Sequence, residues 1–345
     1  MIITTIEELR QYFPSHAFDD MESLAGVIDT AEHMTLADKL GYPLYKALLD
    51  TYASTDLQAF ILNVRCGTAM SPYAVLLKHS QRIVAYDAMC RDAQLKILSI
   101  NNAGINIATA DDYAKATKTE LDEFRNGCTK NLHDSINKLL ELLEAWASGS
   151  EECEYTDPSY NEEKKEIVEL WKKSRFFCIA ADLLIPNVSV LTEHIDVYSS
   201  REKFVRMIPE LRYIQEEIIS DVVGVELVNA IVAYRDAESQ VVKASLNKLR
   251  KVTAFFLKGR SDVLTVTKDA RQKAMDEAQH LLSSAAQFIK VRQSFFPESF
   301  VEAFMLSPLY EKPKAEPDTS TPEPEDTRKF GNNRKGNSIF VMPGL

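Results

Sequence analysis

Apolar residues recur along most of this chain at the spacing of helices that bury one face. Residues 5–13 read as a short helix ended by Pro14. Between 20 and 40 the positions Met21, Leu24, Val27, Ile28, Ala31, Met34 and Leu36 keep a helical rhythm. Gly41 breaks that helix, and Pro43 opens the next one in the first turn, where a missing N–H costs nothing. Leu44, Ala47, Leu48 and Tyr52 mark this helix; Leu57, Phe60, Ile61 and Val64 mark another over 56–70. Ser71-Pro72 joins a capping residue to a first-turn proline and starts a helix reaching about residue 94. The period then changes. Residues 98–108 hold β-prone Ile100, Ile105 and Ile107 around Asn-Asn-Ala-Gly, which predicts a small hairpin. A long helix over 111–147 follows, with the stripe Leu121, Phe124, Cys128, Leu132, Ile136, Leu139, Leu140, Leu143 and Trp146.

Residues 148–161 are polar and acidic and read as a linker. A second helical region spans 162–307, with interruptions expected near Pro186, at 198–200, at Pro209 and near Gly259. It resembles the first. With Gly41 set against Gly224, Leu44 meets Leu227, Ala47 meets Ala230 and Leu48 meets Ile231; upstream, Leu36 meets Ile219 and Leu40 meets Val223. The stretch 262–268 is a β-prone counterpart of the hairpin, and a long helix follows each. The expected fold is therefore all-α: two tandem, duplicated bundles over 1–147 and 162–307, each with a short β-prone connection. Gly41 and Gly224 are its structural breakpoints, where a backbone open only to glycine is anticipated.

Composition narrows function mainly by exclusion. Glycine is scarce, 11 residues in 345, which argues against glycine-rich phosphate loops and dinucleotide folds. The formal charge of −11 disfavours broad nucleic-acid binding, which needs clustered Lys and Arg. No apolar run is long enough for a membrane span, and the N-terminus lacks the pattern of a signal peptide. The five cysteines, an odd number widely spaced, read as reduced thiols, mostly buried. None has a clearly activating setting, although Cys178 comes nearest. The six histidines are scattered. Glu120 with Glu123 and Glu141 with Glu144 share helix faces without the Glu–His pattern of bundle metal sites. No catalytic, metal or cofactor-binding residue is expected. The doublets Phe176-Phe177, Phe255-Phe256 and Phe295-Phe296 predict one ring inward and one at a seam or subunit contact.

Three segments, LADKLGYPLYKALLDTY (36–52), the NAGI turn (102–105) and the closing helix 118–146, resemble the helical head–tail connector (adaptor) proteins of tailed phages and prophages, as a duplicated branch. The glycine break of that family has its counterpart in Gly41, Leu44, Tyr45 and Leu48. The resemblance implies a virion structural protein without catalysis, folded in the bacterial cytoplasm and placed in the virion neck. It further implies a homo-oligomeric ring of about twelve subunits between portal and tail, with no membrane and no sequence-specific nucleic acid. A helical scaffold unrelated to virions and a helical enzyme of unrecognised site are the alternatives.

The last segment, 308–345, reads as an extended arm. Five prolines fall between 308 and 324. Residues 311–326 hold six acidic and two basic side chains, whereas 327–345 hold four basic ones, Arg328, Lys329, Arg334 and Lys335, and no acidic one. The stretch ends in apolar, strand-prone Ile339, Phe340, Val341 and Met342. These eight residues are the candidate partner-docking site.

Overall fold

A computed structural model describes residues 1–13, 21–68, 70–101, 104–107, 118–149, 158–196, 200–235, 238–262, 264–265 and 267–311. The fold is all-α apart from one two-stranded hairpin among the described residues. The helix α1 (Ile6–Tyr12) starts with a capping box, in which Thr5 accepts from the Glu8 amide and Glu8 from the Thr5 amide. The stretch expected as one helix over 20–40 is α2 (Glu22–Ala31), a π turn (Glu32–Leu36) and α3 (Ala37–Leu40). Beyond Gly41 come α4 (Tyr42–Ser54) and α5 (Leu57–Cys66), the latter capped at its start by Asp56 and ended by left-handed Gly67. Ser71 caps α6 (Pro72–Ile97). The expected hairpin forms: β1 (Leu98–Asn101) pairs antiparallel with β2 (Gly104–Ile107), Leu98 opposite Ile107. It leads to α7 (Lys118–Ser148), which lies along α6.

The chain continues in further helices. After α8 (Pro158–Trp171) and the short α9 (Val188–Thr192), α10 (Arg201–Tyr213) runs into a π turn (Ile214–Ile219) and α11 (Ser220–Val223). Gly224 then opens α12 (Val225–Ala233). The long pair α13 (Gln240–Arg260) and α14 (Lys268–Val291) packs closely, and α15 (Val301–Met305) closes the described chain. Apolar side chains of both halves form one continuous core, with Trp171, Phe204 and Phe300 among the largest fully buried groups.

Four expectations need correction. The segment 148–161 does not divide the halves: α8 starts inside it and packs on α4, α6 and α7. Pro209 lies within α10 and does not interrupt it, because Phe204, Met207 and Leu211 hold that helix into the core around it. Gly259 is likewise helical; a Cβ there would lie 2.6 Å from Met275 Cγ, so glycine admits the close approach of α14. Among the described residues of 261–267 there is no strand; Ser261 Oγ accepts from the Leu264 amide and the Ser261 carbonyl from the Thr265 amide.

Candidate assembly surfaces

The two halves share a set of backbone devices. Each places a π turn, a one-turn helix and a glycine in succession. Gly41 has φ 77° and ψ 148°, and Gly224 has φ 95° and ψ 135°. Both lie close to a region of backbone space that is almost confined to glycine. In each half a serine far along the chain closes on the glycine. An ideal Cβ on Gly41 would stand 3.1 Å from Ser174 Cα, and one on Gly224 3.0 Å from Ser307 Cα. Ser174 Oγ donates to the Lys39 carbonyl at 2.9 Å and accepts from the Phe176 amide at 3.1 Å. Ser307 Oγ donates to the Val223 carbonyl and accepts from the Leu309 amide at 3.1 Å. The aromatic pairs flanking these serines also match: Trp171 with Phe177 at 4.9 Å and Phe304 with Tyr310 at 6.1 Å, both edge-on.

A second device recurs inside the π turns. The inserted residue frees the Glu32 carbonyl to accept from the Ala37 amide, and the Gln215 carbonyl to accept from Ser220. Glu32 and Gln215 stand equally far ahead of their glycines, and both side chains are buried. Each clamps the start of its half. Glu32 Oε1 accepts from the Ile2 amide at 2.6 Å, and Gln215 Oε1 accepts from the Leu184 amide at 2.7 Å. Sequence reading found the glycines and missed the clamps; extending the same alignment upstream sets Glu32 opposite Gln215.

The first clamp belongs to a larger buried network. Glu8 accepts from Tyr52 Oη at 3.0 Å and from Gln81 Nε2 at 2.8 Å, and Tyr45 Oη donates to Glu32 at 3.0 Å. Burial pushes the Tyr52 phenol up to about 12. Such fully hydrogen-bonded carboxylates fix the N-terminal segment on α2, α4 and α6.

The halves meet through charge. Arg201, at the start of α10, holds Glu144 of α7 at 2.5 Å, both buried; the Arg201 amide donates to Asn137. Burial pushes the Glu144 carboxyl above its ordinary range, although Arg201 pulls it down. Buried Lys39 reaches Glu202 at 2.7 Å and stands 3.6 Å above the Phe176 ring. In the sequence Glu144 shows only a shared helix face with Glu141; its partner Arg201 lies too far away in sequence to be anticipated. Cys178 lies beside this pair, and burial pushes its thiol up to about 12, the opposite of activation. Cys90 and Cys128 are also buried, whereas Cys66 is exposed and Cys153 falls outside the described residues.

Exposed apolar side chains gather in two settings. Tyr42 and Val225, each the first residue after its glycine, are 72% and 55% exposed. Val291, Phe295, Val301, Met305 and Leu306 crowd the end of the second half, beside a groove of about 190 Å³ lined by Phe296, Phe300, Phe304 and Tyr310. In the expected Phe doublets, Phe176, Phe256 and Phe296 turn inward more than Phe177, Phe255 and Phe295. The eight proposed docking residues, Arg328, Lys329, Arg334, Lys335, Ile339, Phe340, Val341 and Met342, all lie outside the described residues.

Among the described residues no group of His, Cys, Asp and Glu could hold a metal, and no helix is long and apolar enough to cross a membrane. Compared with protein-family models, with curated proteins and with solved structures, the chain matches none.

Proposed function

We propose that this chain is a structural assembly subunit, a head–tail connector of a tailed phage or prophage built from two copies of one helical module. It forms a homo-oligomeric ring that meets portal and tail proteins in the virion neck. One observation carries the reading: the paired clamp, π turn, glycine and serine latch in each half, joined by a buried charged seam. These devices spend polar groups on rigidity, which suits a part that transmits load and holds its neighbours in register. The exposed apolar end of the second half offers copies a surface on which to meet; in this reading they meet head to tail, and such contacts close into rings when the rotation allows. Light scattering and negative-stain microscopy of the purified chain test this. Closed rings of uniform size are expected. A monomer or simple dimer at tens of micromolar would instead favour a helical adaptor unrelated to virions.

A further inference from the structure

Thirteen large apolar side chains are exposed among the described residues, and five of them fall between Val291 and Leu306. Single exposed apolar residues are ordinary, but a cluster beside a preformed groove marks a contact surface. The groove is about 190 Å³ and is lined by Phe296, Phe300, Val301, Phe304, Met305 and Tyr310 among others. Phe300 and Phe304 are buried and form its floor, while Val301 and Met305 are about half exposed at its rim.

The charge around it is one-sided. From 293 to 311 the sequence holds Glu298, Glu302 and Glu311 and neither Lys nor Arg. Three cations lie near it: Lys290 is engaged by Glu311 at 2.6 Å, Arg292 lies over the rings of Phe288 and Phe295, and Arg235, which has a contact of its own, follows Tyr234, whose ring meets Phe300 at 5.1 Å. An occupant should therefore be apolar and flanked by positive charge.

The chain itself contains such a segment. After the first latch the chain continues into buried apolar residues, Cys178, Leu183, Leu184 and Ile185. After the second latch Leu309 and Tyr310 pack on the core; beyond them the sequence is charged and proline-rich, and the next run of consecutive apolar residues is Ile339-Phe340-Val341-Met342. Four basic residues precede that run within 327–338, with no acidic one.

We propose that the groove at 293–310 receives Ile339–Met342 of a second copy of this chain, with Arg328, Lys329, Arg334 and Lys335 held by Glu298 and Glu302. The charge of the connecting sequence favours a second copy over the segment's own chain: 311–326 carries six acidic against two basic side chains, which the acidic rim repels. The inference shares with the connector reading only the premise that copies meet, and it specifies where.

The test uses the full chain with Phe340 replaced by photo-reactive p-benzoylphenylalanine. Heavy-isotope and unlabelled copies are mixed before illumination, and the cross-links are mapped by mass spectrometry. Links from position 340 to 291–310 are expected, about half of them joining heavy to light chains. Val301→Asp, at an exposed rim position, should cut their yield at least tenfold with the helical circular dichroism unchanged. Links elsewhere, links only within one chain, or no links would overturn the proposal. So would a Val301→Asp variant that folds and still cross-links at full yield. Rings without these links would leave the connector reading standing; links without rings would leave the docking standing.

Discussion

Gly41 and Gly224 show how much one missing methyl group can decide. Each has a backbone that costs another residue about 1–3 kcal/mol, and at each a Cβ would press on a serine Cα. Gly41→Ala and Gly224→Ala should therefore each lower stability by at least ~1 kcal/mol, read from the midpoint of urea unfolding. Ser174→Ala should cost a similar amount by a different route, since it strands the buried Lys39 carbonyl and Phe176 amide. A Ser174→Ala protein as stable as wild type would show the latch to be idle. His79 offers a pH signature. Burial, then the nearby Lys78, Arg82 and Lys138, pushes its imidazole down to about 4. Between pH 6.5 and 4 the unfolded chain takes up a proton there that the folded chain refuses. The contribution is complete above pH 6.5 and is lost as pH falls towards 4. His79→Gln should flatten the decline of stability between pH 7 and 4.5 in that same unfolding measurement.

At the scale of elements, the sequence made most helices legible and hid their irregularities. Ser71-Pro72 marked the start of α6, and the β-prone stretch near 100 became a paired hairpin. Both signals are local: a cap, a proline, a change of hydrophobic period. The π turns left no comparable trace, because only one helical turn follows each before its glycine, too few apolar positions to reveal a shifted phase. What the insertion does is mechanical. It turns α3 and α11 relative to the helices before them, bringing Leu40 and Val223 to full burial ahead of each glycine. Deleting exposed Met34 would restore a regular helix and rotate everything after it by about 100°. A melting temperature lowered by several degrees is expected, whereas Met34→Ala, which keeps the turn and changes only an exposed side chain, should leave it nearly unchanged.

The whole molecule depends on contacts between residues far apart in sequence, which is why its seam was not legible. Glu144 and Arg201 read as two surface charges until folding buries them together. Breaking such a pair from one side costs about 3–5 kcal/mol, whereas replacing both partners with apolar groups of similar size is often neutral. Arg201→Ala should accordingly destabilise strongly. The double variant Glu144→Leu with Arg201→Met should recover most of the loss, as measured by urea unfolding; equal losses in both would mean that the charges themselves are needed. The place where the halves divide was hidden for the same reason. Acidic composition pointed to 148–161, but α8, which starts inside it, packs on α4, α6 and α7.

Synthesis adds a timetable. Ser174 lies 135 residues downstream of Lys39, the carbonyl it fastens, and Ser307 lies 84 residues downstream of Val223. At ~5–20 residues per second, a ribosome needs roughly 7–27 s to supply the first serine after the lysine has been made. For that interval the glycine bend lacks the hydrogen bond from Ser174. Chains stalled before residue 174 should be cut readily around Gly41, and chains long enough to expose Ser174 outside the ribosome should resist. Each serine would then report that the glycine bend before it has been fastened.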